Sequence, residues 1–173
     1  LEVEAVTVNS PAGHGVAPER SDTREGYDDR HIERVRRVVE AMEADLGIVL
    51  GESGESLIVV DETGTRVPDV TMLLLMIGHA GRRGERGSIA LPLHITHRAD
   101  AIAAASELGV VRTKMSGASL MAEAARPHIV FAGELGGRYI YHAFMPSPVA
   151  GFSFGKGLEL VAGTKRPFSA LPA

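Results

Sequence analysis

Late in the chain, Ala132-Gly133-Glu134-Leu135-Gly136-Gly137-Arg138 sets a carboxylate among glycines. A carboxylate accepts two hydrogen bonds and glycine lets a backbone come close, so the pattern suits the paired hydroxyls of a sugar. The plain alternative is a β-bulge or turn with a solvated glutamate. A second stretch, Gly51-Glu52-Ser53-Gly54-Glu55-Ser56, is a short polar turn between two apolar runs, where chemistry would be displayed at the end of buried strands. Lys114, after Arg112-Thr113, can meet a phosphate or assist a proton transfer, or be an exposed strand-end charge. His94 and His97 form H-x-x-H, without the i, i+4 helical spacing of zinc proteases, and read as satisfied or solvent-facing, as does His14 in its loop. Arg34, Arg36 and Arg37 form a basic cluster that could bind phosphate but reads better as a solvated helix face.

The elements that must position these residues follow from periodicity. Leu46 to Leu50 and Leu57 to Val60 are predicted strands, since Ile58, Val59 and Val60 are β-branched and stiff at χ1. A turn follows at Asp61 to Gly64. Leu1 to Asn9 alternates and predicts a strand; Ser10 to Asp22 is a loop rich in Pro and Gly. Arg24 to Ala44 is a predicted amphipathic helix through Ile32, Val35, Val38, Val39 and Met42. Pro68 marks a boundary, Asp69 is placed to cap, and Val70 to His79 reads as a buried helix. Gly81 to Gly87 is a charged loop. Ser88 to Thr96 is a predicted strand whose Pro92 argues for a kink or an edge. Arg98 to Leu108 is a helix ended by Gly109 at C′, Val110 to Lys114 a strand, Ser116 to Arg126 a helix, and His128 to Ala132 a strand. Tyr139 to Phe144 adds a strand, Ala150 to Ala162 a closing helix, and Thr164 to Ala173 a frayed tail. The alternation of helix and strand indicates an α/β fold with some parallel pairing.

Composition narrows the function. The chain of 173 residues can bury a sizeable core in one large or two small domains. A formal net charge of -4 argues against a nucleic-acid footprint. With no cysteine there is neither disulfide nor thiolate chemistry, which is compatible with a cytoplasmic location. No apolar run is long enough to span a bilayer: Val70 to Ile77 is cut by Gly78, His79 and Gly81-Arg82-Arg83. LEVEAVTVNS has no basic flank, so it is not a signal peptide; it lacks an initiator methionine and reads as part of something longer.

The stretch Ala44 to Gly64, ADLGIVLGESGESLIVVDETG, resembles the α-D-phosphohexomutase family (phosphomannomutase, phosphoglucomutase and relatives), whose segment reads approximately A-D-L-G-I-A-x-D-G-D-x-D-R-L-x-x-x-D-E-x-G. Ala44, Asp45, Leu46, Gly47, Ile48, Leu57, Asp61, Glu62 and Gly64 match without a gap. The family's three metal-binding aspartates fall on Gly51, Ser53 and Glu55, and its arginine on Ser56. In an extended loop, carboxylates at i, i+2 and i+4 point the same way; here the row offers Glu55 and the Ser53 hydroxyl. The resemblance implies Mg2+ in the parent family, and the loss of two carboxylates predicts that it is not bound in that manner here.

Further on, Gly109, Val111, Arg112 and Thr113 match a family G-x-x-V-x-R-T-x-V-G, whose last glycine falls on Ser116, and Lys114 lies near where some members keep a lysine at the active site. The family's G-E-x-S-G-H loop, which hydrogen-bonds sugar hydroxyls, is matched by Glu134 and Gly137, with Gly136 for serine and Arg138 for histidine. The resemblance implies three-layer helix/mixed sheet/helix domains: residues 1–67 as the C-terminal part of domain two and 68–173 as domain three. It implies a parent acting on hexose phosphates by intramolecular phosphoryl transfer. The family's phosphoserine loop and phosphate-binding loop have no counterpart in this sequence, so the chain alone is expected to be inert as a mutase, its partners being a hexose phosphate and the remaining domains. The C-terminal stretch from Arg138 to Pro172 more loosely resembles mutase-like regions fused behind sugar-phosphate nucleotidyltransferases, such as mannose-1-phosphate guanylyltransferases. That implies the alternative of a non-catalytic structural or regulatory module.

Overall fold

A computed structural model describes residues 3–8, 29–82, 86–164 and 166–171. Helix α1 (Asp29–Met42) lays Ile32 and Val35 on Val49 and Ile58 of a hairpin formed by β1 (Leu46–Leu50) and β2 (Leu57–Asp61). The strands pair antiparallel, from Leu46 opposite Asp61 to Leu50 opposite Leu57. Gly47 lets the helix approach this closely, since a Cβ there would come within 2.6 Å of Val35 and Val39 side chains. Leu57 and Val59 point the other way, into the main core with helix α2 (Asp69–Arg82).

The second sheet contains β3 (Ser88–Pro92), β4 (Gly109–Thr113), β5 (Ile129–Glu134) and β6 (Arg138–Tyr141), in the order β4-β3-β5-β6. β3 runs parallel to both neighbours and β6 antiparallel to β5. From β3 the chain moves outward through α3 (Arg98–Ala105) to β4, then returns across β3 through α4 (Gly117–Ala124) to β5. Right-handed crossovers in opposite directions put their helices on opposite faces. Accordingly α2 packs with α3 and with α5 (Ala150–Thr164) on one face, while α4 covers the other through Leu120, Ala124, Ala90 and Ala132. The architecture is the expected α/β fold, helices on either side of a mixed sheet.

Several local expectations need correction. Residues 3–8 form no strand and lie exposed: alternating Val and Glu makes a strand only where a neighbouring edge accepts its hydrogen bonds. The loop at 10–22, with His14, falls outside the described residues, as does the start of the first predicted helix. β3 stops at Pro92 and is central, not an edge; Pro92 is tolerated as its last residue, and the Ile95 amide then bonds back to the Pro92 carbonyl. α3 is closed by Glu107 at φ 58, with its amide on Ala104 and that of Leu108 on Ala103, while Gly109 already begins β4. β6 ends at Tyr141, three residues early. The tail is docked: Phe168 and Leu171 are buried, and Glu62 binds the Ser169 amide and hydroxyl.

Candidate functional site

The loop with Glu134 is a three-residue hairpin turn joining β5 to β6, with Gly136 at φ 81 and Gly137 at φ 70. Both angles belong to the left-handed region where glycine is favoured. Glu134 and Arg138 are cross-strand partners, and Arg138 Nε lies 3.2 Å from Glu134 Oε1. Asp69, at the start of α2, accepts the Gly136 amide at 3.1 Å and pairs with Arg66, so its carboxylate positions this loop. In the sequence, Asp69 signals only a helix cap, not this contact.

The turn at residues 51–56 is not extended. Its chain reverses through a Gly54 amide to Gly51 carbonyl bond, with Gly54 at φ 72, and the Gly51 amide bonds to the Ser56 carbonyl. Gly51, Ser53 and Glu55 therefore do not form the row that a pleated strand would give; Gly51 is buried, Ser53 exposed and Glu55 half-exposed. The Gly54 carbonyl instead receives the Ala150 amide at the start of α5.

The tertiary structure joins these two loops. Ser56 bridges to Arg138 antiparallel, and the Leu57 amide donates to the Gly137 carbonyl at 3.2 Å. Arg138 Nη2 reaches Glu55 Oε2 at 3.7 Å, so the guanidinium stands between Glu55 and Glu134. The start of α4 closes the third side: a Cβ on Gly117 would come to 3.1 Å of Arg138 Nη2. Ser116 caps α4 by accepting the Ser119 amide.

The junction lies at the C-terminal ends of the parallel strands, beside the point between β3 and β5 where strand order reverses. In open α/β sheets the crevice at such a point is the usual ligand site. Lys114 is exposed at the end of β4, two strand spacings from β5, roughly 10 Å at the backbone. Arg112 has a structural contact set: its Nη1 donates to the Pro92 and Ile95 carbonyls, and its Nη2 to Asp100. Asp100 also meets His97 Nδ1 at 2.8 Å. Burial pushes the Asp100 carboxyl up, but bonds from His97 and Arg112 outweigh it and leave it below the ordinary range. Of the basic cluster on α1, Arg36 and Arg37 are likewise engaged: both pair with Glu33, whose carboxyl is brought down to about 2 by those hydrogen bonds.

No family model matches the sequence. A Methanosarcina acetivorans protein described as a probable phosphoglucosamine mutase is 27% identical over 169 residues, covering 95% of this chain and 36% of that protein. A crystal structure of a candidate phosphomannomutase from Thermus thermophilus superposes with a TM-score of 0.75 at 17% identity, over 82% of this chain and 33% of its own. The chain is phosphohexomutase-like in sequence and fold. A phosphoglucomutase/phosphomannomutase family protein from Burkholderia thailandensis agrees, with a TM-score of 0.74 at 17% identity over 84% of this chain and 33% of its own. The chain thus spans about a third of the length of these phosphohexomutase relatives.

Magnesium, the ion implied by that relation, demands near-octahedral oxygen coordination at short range. Gly51 supplies no side chain, Ser53 sits on a reversing turn, and Glu55 faces the Arg138 guanidinium. Among the described residues no three Asp, Glu or His side chains converge as a metal site. The residues at this turn do not fit the ion.

Proposed function

We propose that this chain is the sugar-phosphate-contacting part of a phosphohexomutase-like protein of hexose phosphate metabolism, and that alone it carries no mutase activity. In the parent reaction a phosphoryl group moves between oxygens of one hexose, a step in which the protein mainly positions groups and stabilises charge. This chain contributes Glu134 as acceptor for sugar hydroxyls, with Arg138 holding that carboxylate in place across the strand pair. The observation that supports the reading is the convergence of the glycine loop and the hairpin turn on Arg138 at the strand-order reversal. Residues 1–67 and 68–173 are taken as the parts of two consecutive family domains.

Isothermal titration in magnesium-free buffer with glucose 6-phosphate, mannose 6-phosphate and glucosamine 6-phosphate tests this. One of the three should bind, with at least a fivefold loss in Glu134→Gln, and incubation with any should give no 1-phosphate. Binding of none, or turnover by the chain alone, contradicts the reading.

A further inference from the structure

We propose that Arg138 is a built-in cation that links the hairpin turn to the glycine loop and keeps Glu55 from recruiting a divalent ion. Its guanidinium lies between Glu55 on one loop and Glu134 on the other, at 3.7 and 3.2 Å. These contacts are electrostatic rather than well-aligned hydrogen bonds, because the buried Nε finds no hydrogen-bond partner despite its distance to Glu134. The location is otherwise unfavourable for a cation, since the start of α4 lies against Nη2 and carries the positive end of the helix dipole. Two carboxylates flanking the guanidinium offset that field. A divalent ion approaching Glu55 meets both the arginine and the helix end, and cannot gather Glu55 and Glu134 without displacing Arg138. The arginine therefore adds to the missing aspartates: a cation already stands between the two carboxylates that a divalent ion would have to gather.

Mn2+ binding followed by electron paramagnetic resonance at fixed ionic strength tests this on the whole chain. Arg138→Gln should bind Mn2+ at least tenfold more tightly than wild type, Arg138→Lys should behave as wild type, and the gain should vanish in Arg138→Gln/Glu55→Gln. Equal affinity in wild type and Arg138→Gln, or a gain that survives the loss of Glu55, overturns the proposal. If circular dichroism shows Arg138→Gln unfolded, Glu55→Gln decides, since it cuts only the arm between the loops. Exchange of the Leu57 amide, which bonds to Gly137, should then accelerate severalfold, and an unchanged rate overturns the proposal.

Discussion

At the residue scale, two adjacent glycines separate conformational from steric need. Gly136 and Gly137 both have positive φ, but a Cβ on Gly136 meets nothing within 4 Å, while one on Gly137 would lie 1.8 Å from the Leu57 carbonyl oxygen. Gly136→Ala should cost about 1–2 kcal/mol, the left-handed penalty alone. Gly137→Ala must in addition part the two loops and should cost more than about 3 kcal/mol. Urea denaturation of both variants checks the difference, and equal losses would count against the packed junction. His79 gives a pH dependence. It is buried on α2, with Nε2 3.4 Å from Glu159 and with Lys156 and Arg82 nearby. Burial lowers its pKa below the ordinary 6.5, outweighing the attraction of Glu159. The unfolded chain therefore takes up the proton first: this contribution to stability is complete above about pH 6.5 and is lost as pH falls through the lower folded value. Melting temperature should drop between pH 7.5 and 5.5, and His79→Gln should flatten that slope.

At the element scale, the hairpin turn and the turn after β2 act as anchors for distant segments. Gly54 takes the first amide of α5, and Glu62 takes Ser169 in the short 3-10 turn Phe168–Ala170. Burial raises the Glu62 carboxyl, but the hydrogen bonds from Ser169 and the neighbouring backbone bring it below 4.5 overall. A depressed carboxyl stabilises above its unfolded value and loses that contribution as pH falls through the folded one. Glu62→Gln should release the tail, seen as faster amide exchange at Ser169 and Leu171 with the sheet unaffected. Unchanged exchange would show that Phe168 and Leu171 burial suffices.

At the scale of the whole molecule, one apolar cluster spans the boundary at residue 67. Leu57, Val59 and Val67 are buried with Met72, Leu73 and Ile77 of α2 and with Phe131 and Tyr139 of the sheet. Fully burying a branched apolar side chain contributes about 1.5–3 kcal/mol, so losing Leu57 and Val59 removes about 3–6 kcal/mol from the core. Residues 29–173 should melt in a single calorimetric transition, and residues 68–173 alone should melt at a markedly lower temperature or remain unfolded. Two independent transitions would show separate cores.

Much of this was written locally. The β-branched run at Ile58 to Val60, the apolar stretch of α2, Ser116 before α4 and the alternation of helix and strand each follow from short-range preferences, and they gave the fold class, the hairpin and most of the helices. The letters from Ala44 to Gly64 and around Glu134 also pointed to the relatives. What depended on distant partners was not legible: the alternating N-terminal residues did not become a strand without a receptive edge, and the tail docked because Glu62 lay in reach of Ser169. The turn at 51–56 is legible as a turn, but the row of Gly51, Ser53 and Glu55 expected of an extended loop does not form, because the reversal depends on a backbone angle at Gly54 that glycine permits but does not require. Least of all could periodicity show that Arg138, 83 residues after Glu55, would come to stand beside it. That pairing arises only when the edges of two sheets meet at Gly137, where the absent side chain lets the backbones touch.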